Sequence, residues 1–174
     1  MTTRLETEIF EQPQTLQRLL EAESAHVADI AAAIRRAQPR YALIVARGTS
    51  DNAARYAQYT LGGLAGLFVG LATPSLTTIY ESTPRFDGAL VIGISQSGRS
   101  LEPTHVLEQA HDRGAVLTLS ITNDASSPLA QVADHHIALN AGTELSLAAT
   151  KTYTAQLLAI AMLVGHLGEV PGWE

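Results

Sequence analysis

The amino-acid sequence predicts a doubly wound α/β domain built on a five-stranded parallel sheet. Its strands are short apolar runs without polar alternation, which is typical of strands that are covered on both faces. Each of three such runs leads through a turn rich in Gly, Ser, Thr, Asn or Asp into a helical segment. Because strands and helices alternate, right-handed crossovers should place helices on both faces of the sheet.

The first 37 residues predict an N-terminal helical segment, and residues 38–170 predict the α/β domain itself. From 13 to 37, apolar residues recur at steps of three and four, which is the period of an amphipathic helix. Gln38 and Pro39 then end this helix, because a residue before proline avoids the helical conformation.

The predicted strands are 41–46, 66–72, 89–94, 115–121 and 135–139. A last helix is predicted over 150–167. Its segment "YTAQLLAIAMLVGHL" has too little polar surface for full exposure. We therefore expect this helix to bury against a second domain of the same kind or another copy of the chain, and we expect a homodimer.

Composition restricts the partners and the compartment. The 174 residues suit one domain, and the net charge of −6 with scattered basic residues argues against nucleic-acid binding. There is no cysteine, and no apolar stretch reaches the roughly 20 residues that span a bilayer. The sequence carries no signal peptide and no nucleotide-binding glycine motif, and it shows no metal-ligand spacing. It predicts a cytoplasmic protein that binds a small molecule without cofactor or metal.

The segment "GISQSGRS" ends the third strand and carries more hydrogen-bonding groups than a helix start needs. The surplus side chains are those of Ser95, Gln96, Ser97 and Ser100. Exposed N–H groups and the positive end of a helix dipole favour an anion at such a turn, and Gly98 would permit close backbone approach. A phosphate monoester offers the several acceptor oxygens that this cluster would bind.

A second turn, "RGTSDN", supplies Gly48, Thr49 and Ser50 at the end of the first strand. In open α/β sheets, ligands bind beyond the carboxyl ends of the strands. Taken singly, Ser50 and Ser100 are also what simple helix caps would require, and Ser95 and Ser97 would then only satisfy backbone groups at the strand end. Arg47 and Arg99 would add positive charge near these turns.

A serine hydrolase is an alternative interpretation of the same turn. "GISQS" differs from the nucleophile pattern G-x-S-x-G only in its last residue, so Ser95 would be the nucleophile. His105, His111, His135 and His136 are available as bases, although His135 and His136 open an apolar strand.

The stretch from 141 to 159 joins the fifth strand to the last helix and contains two ionisable residues, Glu144 and Lys151. Glu144 is either a general base or an exposed loop carboxylate. Thr150 is the predicted cap of the last helix, and Lys151 stands in its first turn, where a cation is unfavourable. We therefore expect Lys151 to have a carboxylate partner or to approach an anion.

Four segments together resemble the sugar isomerase (SIS) domain. They are "ARGTSDNAA", "GISQSGRS", "TNDASSPLAQVADHHIAL" and "AGTELSLAATKTYTAQLLA". The resemblance is closest to the first of the two such domains in the glucosamine-6-phosphate synthase isomerase module and in related sugar-phosphate deaminases. It extends from about residue 11 to 167 and implies a three-layer, flavodoxin-like domain that binds a phosphorylated sugar.

The resemblance also implies roles for individual residues. The phosphate-binding positions of the family correspond to Ser95, Gln96, Ser97 and Ser100. The sugar-binding positions correspond to Gly48, Thr49, Ser50, Leu147 and Ala148. Where synthases commonly have Ser, this sequence has Ala149, as deaminase-like relatives commonly do.

The resemblance does not identify catalytic residues in this chain. The family's acid–base residues belong to the second SIS domain and a C-terminal tail, and no glutaminase domain is present, so we assign none here. The Pro-Gly turn near 171 suggests that the chain is cut from a longer parent. The sequence therefore predicts the amino-terminal half of a two-domain isomerase or deaminase acting on a glucosamine- or fructose-6-phosphate type of sugar. A non-catalytic sugar-phosphate sensor is the alternative.

Overall fold

The computed structural model describes residues 3–82, 84–168 and 170–171. The chain forms one five-stranded sheet in the order β2-β1-β3-β4-β5, and every neighbouring pair of strands is parallel. The strands are β1 Tyr41–Ala46, β2 Val69–Leu71, β3 Ala89–Ile94, β4 Leu117–Thr122 and β5 His135–Ala138. The predicted fold class is confirmed, although β2 is shorter than the run from 66 to 72.

Helices cover both faces of the sheet. They are α1 Arg4–Phe10, α2 Gln12–Ala37, α3 Thr49–Leu64, α4 Ser75–Thr78, α5 Leu101–Asp112, α6 Pro128–Val132 and α7 Lys151–Leu167. One apolar core joins α2, α3 and α7 to one face of the sheet, and a second core joins α5 and α6 to the other face. All residues of the central strands β3 and β4 are buried, which explains why their sequences show no polar alternation.

The N-terminal helical segment packs onto the sheet. Leu19, Val27 and Ile30 of α2 are almost completely buried in the core that they share with α3 and α7. The boundary between this segment and the α/β domain near residue 38 stays a prediction. Over the described parts of the chain, no helix is both long enough and apolar enough to cross a bilayer.

The last helix corrects one expectation. None of the residues of α7 is exposed, because α7 packs against both α2 and α3 within the same chain. Arg35 of α2 also donates a hydrogen bond to the carbonyl oxygen of His166, at 2.6 Å. The apolar sequence of α7 is therefore explained by its own chain, and it is no evidence for a partner. The homodimer stays a prediction that must rest on other grounds.

Candidate functional site

The strand order creates a crevice between β1 and β3. The chain leaves β1 to form α3 on one face of the sheet, and it leaves β3 to form α5 on the opposite face. Ligands of open α/β sheets bind at such a switch point, beyond the carboxyl ends of the strands. The two polar turns expected from the sequence, after β1 and after β3, are adjacent at this edge of the sheet.

A cleft of about 250 Å³ lies at this switch point. Its lining residues are Arg47, Thr49, Ser50, Ser95, Gln96, Ser97, Ser100, Glu144, Ser146, Leu147, Ala149, Thr152 and Gln156. Seven of the nine sequence-predicted site residues are among them. The two that do not line the cleft are Gly48, whose backbone begins α3, and Ala148, whose carbonyl oxygen accepts a hydrogen bond from Ser146.

Hydrogen bonds within the turn from 95 to 100 fix its hydroxyl groups. The Oγ of Ser95 accepts a hydrogen bond from the backbone N–H of Gly98, at 3.1 Å, and lies 3.3 Å from the Oγ of Ser100. The Oγ of Ser97 accepts a hydrogen bond from the backbone N–H of Arg99, at 3.3 Å. Ser95 and Ser97 thus satisfy backbone groups of the turn, as the alternative interpretation expects, and their hydroxyl groups also line one wall of the cleft.

The side chains of the serines at the two helix starts make no capping hydrogen bond. Ser100 occupies the N-cap position of α5, yet its side chain makes no capping hydrogen bond. Ser50 lies inside α3, whose N-cap residue is Gly48. The N–H groups of the first helical turn have no partner within a helix, so those of Leu101 and Glu102 are available to a ligand. The capping interpretation of Ser50 and Ser100 is therefore wrong.

Gly98 anchors the turn to α6. Its φ is 64°, and a Cβ atom at this position would lie 2.0 Å from the Oγ of Ser127. The carbonyl oxygen of Gly98 accepts a hydrogen bond from the backbone N–H of Leu129, at 3.1 Å. The close approach expected at Gly98 is therefore made to Ser127 of the same chain, and it holds the turn in place.

Both arginines near the cleft are held in ion pairs. Arg47 binds the carboxylate of Glu102 with two nitrogens, with Nη2 and Oε1 2.6 Å apart. This hydrogen bonding raises the pKa of Arg47 and lowers the pKa of Glu102. The Nη2 of Arg99 lies 3.2 Å from Oδ2 of Asp124. Neither guanidinium is free of a carboxylate, so the groups that face the cleft from the turn are neutral donors.

Glu144 caps α7. Its Oε1 accepts hydrogen bonds from the backbone N–H groups of Thr150 and Thr152, at 2.9 and 3.3 Å. The hydroxyl groups of both threonines also donate to this carboxylate. Thr150 itself, which the sequence predicts as the cap, makes no side-chain capping bond. The carboxylate lines the cleft but is committed to the helix start, and a general-base role for Glu144 stays a prediction.

The N-terminal segment holds the loop from 144 to 149. The carboxylate of Glu8 accepts hydrogen bonds from the backbone N–H groups of Leu145 and Ser146 and from the Ser146 hydroxyl. These bonds, led by that from Leu145, lower the pKa of Glu8. The buried Nζ of Lys151 lies 2.5 Å from Oε2 of Glu11, so Lys151 has the carboxylate partner that its placement predicts.

Comparison with known proteins identifies the family to which this chain belongs. The family model of the SIS domain matches residues 37–165. The chain belongs to the SIS domain family. One similar structure comes from Silicibacter pomeroyi DSS-3 and is described provisionally as a phosphosugar isomerase. The two sequences are 41% identical, and the TM-score is 0.93. The match covers 99% of this chain and 52% of the Silicibacter pomeroyi chain.

Two further relatives are fructose-6-phosphate aminotransferases. The C-terminal domain of glucosamine-fructose-6-phosphate aminotransferase from Francisella tularensis is 26% identical, with a TM-score of 0.84, over 97% of this chain and 49% of that chain. The glutamine–fructose-6-phosphate aminotransferase of Photorhabdus laumondii is 33% identical over 97% of this chain. The SIS domain chain spans only 28% of the length of that relative.

Three cleft residues of this SIS domain escaped the sequence reasoning, namely Ser146 in the loop before α7 and two residues of α7. Thr152 and Gln156 lie one helical turn apart on α7 and are 0% and 1% exposed. The Nε2 of Gln156 donates a hydrogen bond to the Oγ of Ser50, at 2.9 Å. Two polar side chains at this spacing in an apolar helix are a signal that could have identified them.

Among the described residues, the hydrolase interpretation finds no histidine base at this site. No histidine is among the residues that line the cleft, so Ser95 has no imidazole beside it. The Nδ1 of His136 instead lies 3.0 Å from the Oγ of Ser120, and burial lowers the pKa of this imidazole. Among the described residues of the SIS domain, no three His, Asp or Glu side chains are grouped so that they could hold a metal ion.

Proposed function

We propose that this SIS domain binds the phosphate of a phosphorylated sugar or amino sugar against the turn from 95 to 100. It contributes the phosphate-binding half of an aldose–ketose isomerase or deaminase site of the glucosamine-6-phosphate/fructose-6-phosphate type. The observation that carries the proposal is the convergence of Ser95, Gln96, Ser97 and Ser100 at the uncapped start of α5.

The chemistry of the turn suits a phosphate dianion. Hydroxyl, carboxamide and N–H donors converge at a helix N-terminus, where the helix dipole favours negative charge. A hydrogen bond to an ionised acceptor is roughly twice as strong as one between neutral groups. Because Arg47 and Arg99 are paired with carboxylates, these neutral donors carry the recognition.

The rest of the cleft suits a small polar chain beyond the phosphate. Thr49 and Ser50 line it from α3, and Leu147 lines it from the loop before α7. Its volume of about 250 Å³ is below the ~300–1,000 Å³ that is common for drug-sized ligands. A six-carbon sugar in its ring or open-chain form is of the appropriate size and polarity.

The reaction requires more than this chain supplies. Proton transfer between C1 and C2 passes through an enediol or enolamine and needs a positioned acid–base group. Glu144, the carboxylate that lines the cleft, is engaged in capping α7. We therefore assign to this domain the binding of the phosphate and the positioning of the sugar. We assign the acid–base residues to a second SIS domain, which belongs either to the parent protein or to a partner copy.

Calorimetric titration tests the proposal. Fructose 6-phosphate and glucosamine 6-phosphate are titrated into the protein beside fructose and glucosamine. Several charge-assisted hydrogen bonds should make each phosphate ester bind about 100-fold or more tightly than its parent sugar. Equal affinity within each pair would show that phosphate is not recognised. Turnover assays on the parent protein separate enzyme from sensor, because a sensor would bind without isomerising or deaminating either ester.

A further inference from the structure

Gln156 is a polar residue at a position where the fold alone favours an apolar one. It lies on α7 among buried Ala155, Ala159 and Ile160, and its side chain is 1% exposed. Its Nε2 donates to Ser50, whereas its Oε1 is buried and accepts no hydrogen bond from the described residues. An unpaired buried carboxamide oxygen destabilises the folded state, so packing does not explain this side chain.

In the hydrogen bond between Gln156 and Ser50, Gln156 is the donor and the Ser50 hydroxyl is the acceptor. A serine hydroxyl has one donor hydrogen and two acceptor lone pairs, and Gln156 uses one of the lone pairs. Within the described residues, Ser50 itself donates to no acceptor, and its hydroxyl lines the cleft. The hydrogen of this hydroxyl is therefore left for an acceptor in the cleft.

We infer that Gln156 is a positioning residue that holds Ser50 as a hydrogen-bond donor toward an oxygen of the bound sugar phosphate. The inference rests on the proposed function and deepens it, because it specifies what Ser50 recognises. A hydroxyl held in this way selects a ligand group that accepts, such as a carbonyl or hydroxyl oxygen of the sugar. An ammonium group, which only donates, cannot accept this hydrogen.

A double-mutant cycle with fructose 6-phosphate tests whether Gln156 acts through Ser50. The variants Ser50→Ala, Gln156→Leu and the double variant are titrated beside the wild type. Loss of one hydrogen bond to the ligand should weaken binding by roughly tenfold in each single variant. The double variant should bind no more weakly than Ser50→Ala. If Gln156→Leu has no effect, or weakens binding by the same factor in the Ser50→Ala background, the inference is overturned.

The variant Gln156→Glu tests the direction of the bond. Because burial raises the pKa of a carboxyl group, this titration is made at a pH at which the introduced glutamate is ionised. An ionised glutamate only accepts, so it would take the hydrogen of Ser50 away from the ligand. We expect Gln156→Glu to bind fructose 6-phosphate as weakly as Gln156→Leu does. Wild-type affinity in Gln156→Glu would overturn the inferred direction. Gln156→Met is the second apolar variant if circular dichroism shows that Gln156→Leu is unfolded.

Gln109 offers a matched control. It is a partly buried glutamine of α5 that also has a buried Oε1 without a partner, and it does not line the cleft. Gln109→Leu should leave the affinity unchanged, and an equal loss there would overturn the inference, since the effect would then be general. If wild-type protein binds fructose 6-phosphate no more tightly than fructose, the proposed function fails and the inference with it. If wild-type protein binds fructose 6-phosphate tightly but the cycle shows no coupling between Ser50 and Gln156, the inference is overturned and the proposed function stands.

Discussion

The two walls of the cleft are held in different ways. The turn from 95 to 100 is tied to the ends of neighbouring strands by backbone hydrogen bonds, from Ser95 N–H to Ile121 at 3.2 Å and from Asn123 N–H to Gln96 at 3.0 Å. The loop from 144 to 149 is tied by carboxylates. Glu8 binds its N–H groups from α1, and Glu144 binds the start of α7.

This difference separates what the sheet determines from what the N-terminal segment determines. The first wall follows from the parallel sheet and from the packing of Gly98 on Ser127, neither of which titrates. The second wall depends on an ionisable residue that is 138 positions away in the chain. We expect the turn to keep its geometry under conditions in which the loop loses its anchor.

The largest expected effect is at the first wall, in Gly98→Ala. The new Cβ atom would overlap Ser127 at a φ of 64°, which should destabilise the folded state by roughly 2–5 kcal/mol. Chemical denaturation measures this loss. Gly142→Ala is the matched control, because Gly142 has a φ of 67° but open space where a Cβ would lie. Equal losses in both variants would show that the contact with Ser127 does not matter.

Removal of the donors at the same wall should strongly weaken binding without unfolding the protein. In the double variant Ser95→Ala and Ser97→Ala, the loss of two hydroxyl groups from the phosphate should weaken binding of fructose 6-phosphate by about 100-fold. Calorimetry measures the affinity, and thermal unfolding checks the fold. The exposed Ser24 of α2 donates to a carbonyl of its own helix, so Ser24→Ala should change neither quantity. Retained affinity in the double variant would contradict the binding of phosphate by the turn from 95 to 100.

At the second wall, Glu8→Gln should have a smaller effect. The neutral amide binds the N–H groups of Leu145 and Ser146 less strongly, so the loop should be less ordered and the affinity should fall by roughly fivefold, less than for a direct phosphate contact. Titration with fructose 6-phosphate measures this change. Glu21→Gln is the control, since Glu21 bonds to exposed Gln17 on α2. An affinity loss as large as that of the serine double variant would remove the distinction between the walls.

The affinities of the wild type and of Glu8→Gln should differ in their pH dependence. The pKa of Glu8 is lowered in the folded chain, so its contribution is complete above its ordinary value of 4.5 and is lost as the pH falls through the lowered pKa. The ratio of wild-type to Glu8→Gln affinity cancels the protonation of the ligand. This ratio should be constant near neutral pH and approach one only below 4.5. A decline that is already complete near neutral pH would indicate another titrating group.

The smallest expected effect is that of Arg47→Gln. Although Arg47 lines the cleft, its guanidinium is bound by Glu102, and exposed ion pairs contribute little. Affinity for fructose 6-phosphate should change by less than about threefold. A tenfold loss in calorimetry would show that Arg47 leaves Glu102 to bind the phosphate, and the first wall would then no longer be built from neutral donors alone.

The sequence predicted the first wall far better than the second. The residues of the turn lie close together in sequence and follow a recognisable strand, so their position at the cleft could be predicted without coordinates. The contacts of Glu8 and Gln156 join residues that are more than 100 positions apart, and no local pattern specifies them. The apolar sequence of α7 also gave a wrong expectation, because periodicity indicates that a helix is covered but not by which neighbour.

The pairing of Arg47 and Arg99 with carboxylates affects how the site would select among competing phosphate-containing molecules. Screening by salt weakens attraction between exposed net charges far more than hydrogen bonds at a helix start. Binding should therefore vary little with ionic strength, and polyphosphates or nucleic acids should be poor competitors. On the proposed function, the site would discriminate by the shape of one terminal phosphate and of the carbon chain attached to it.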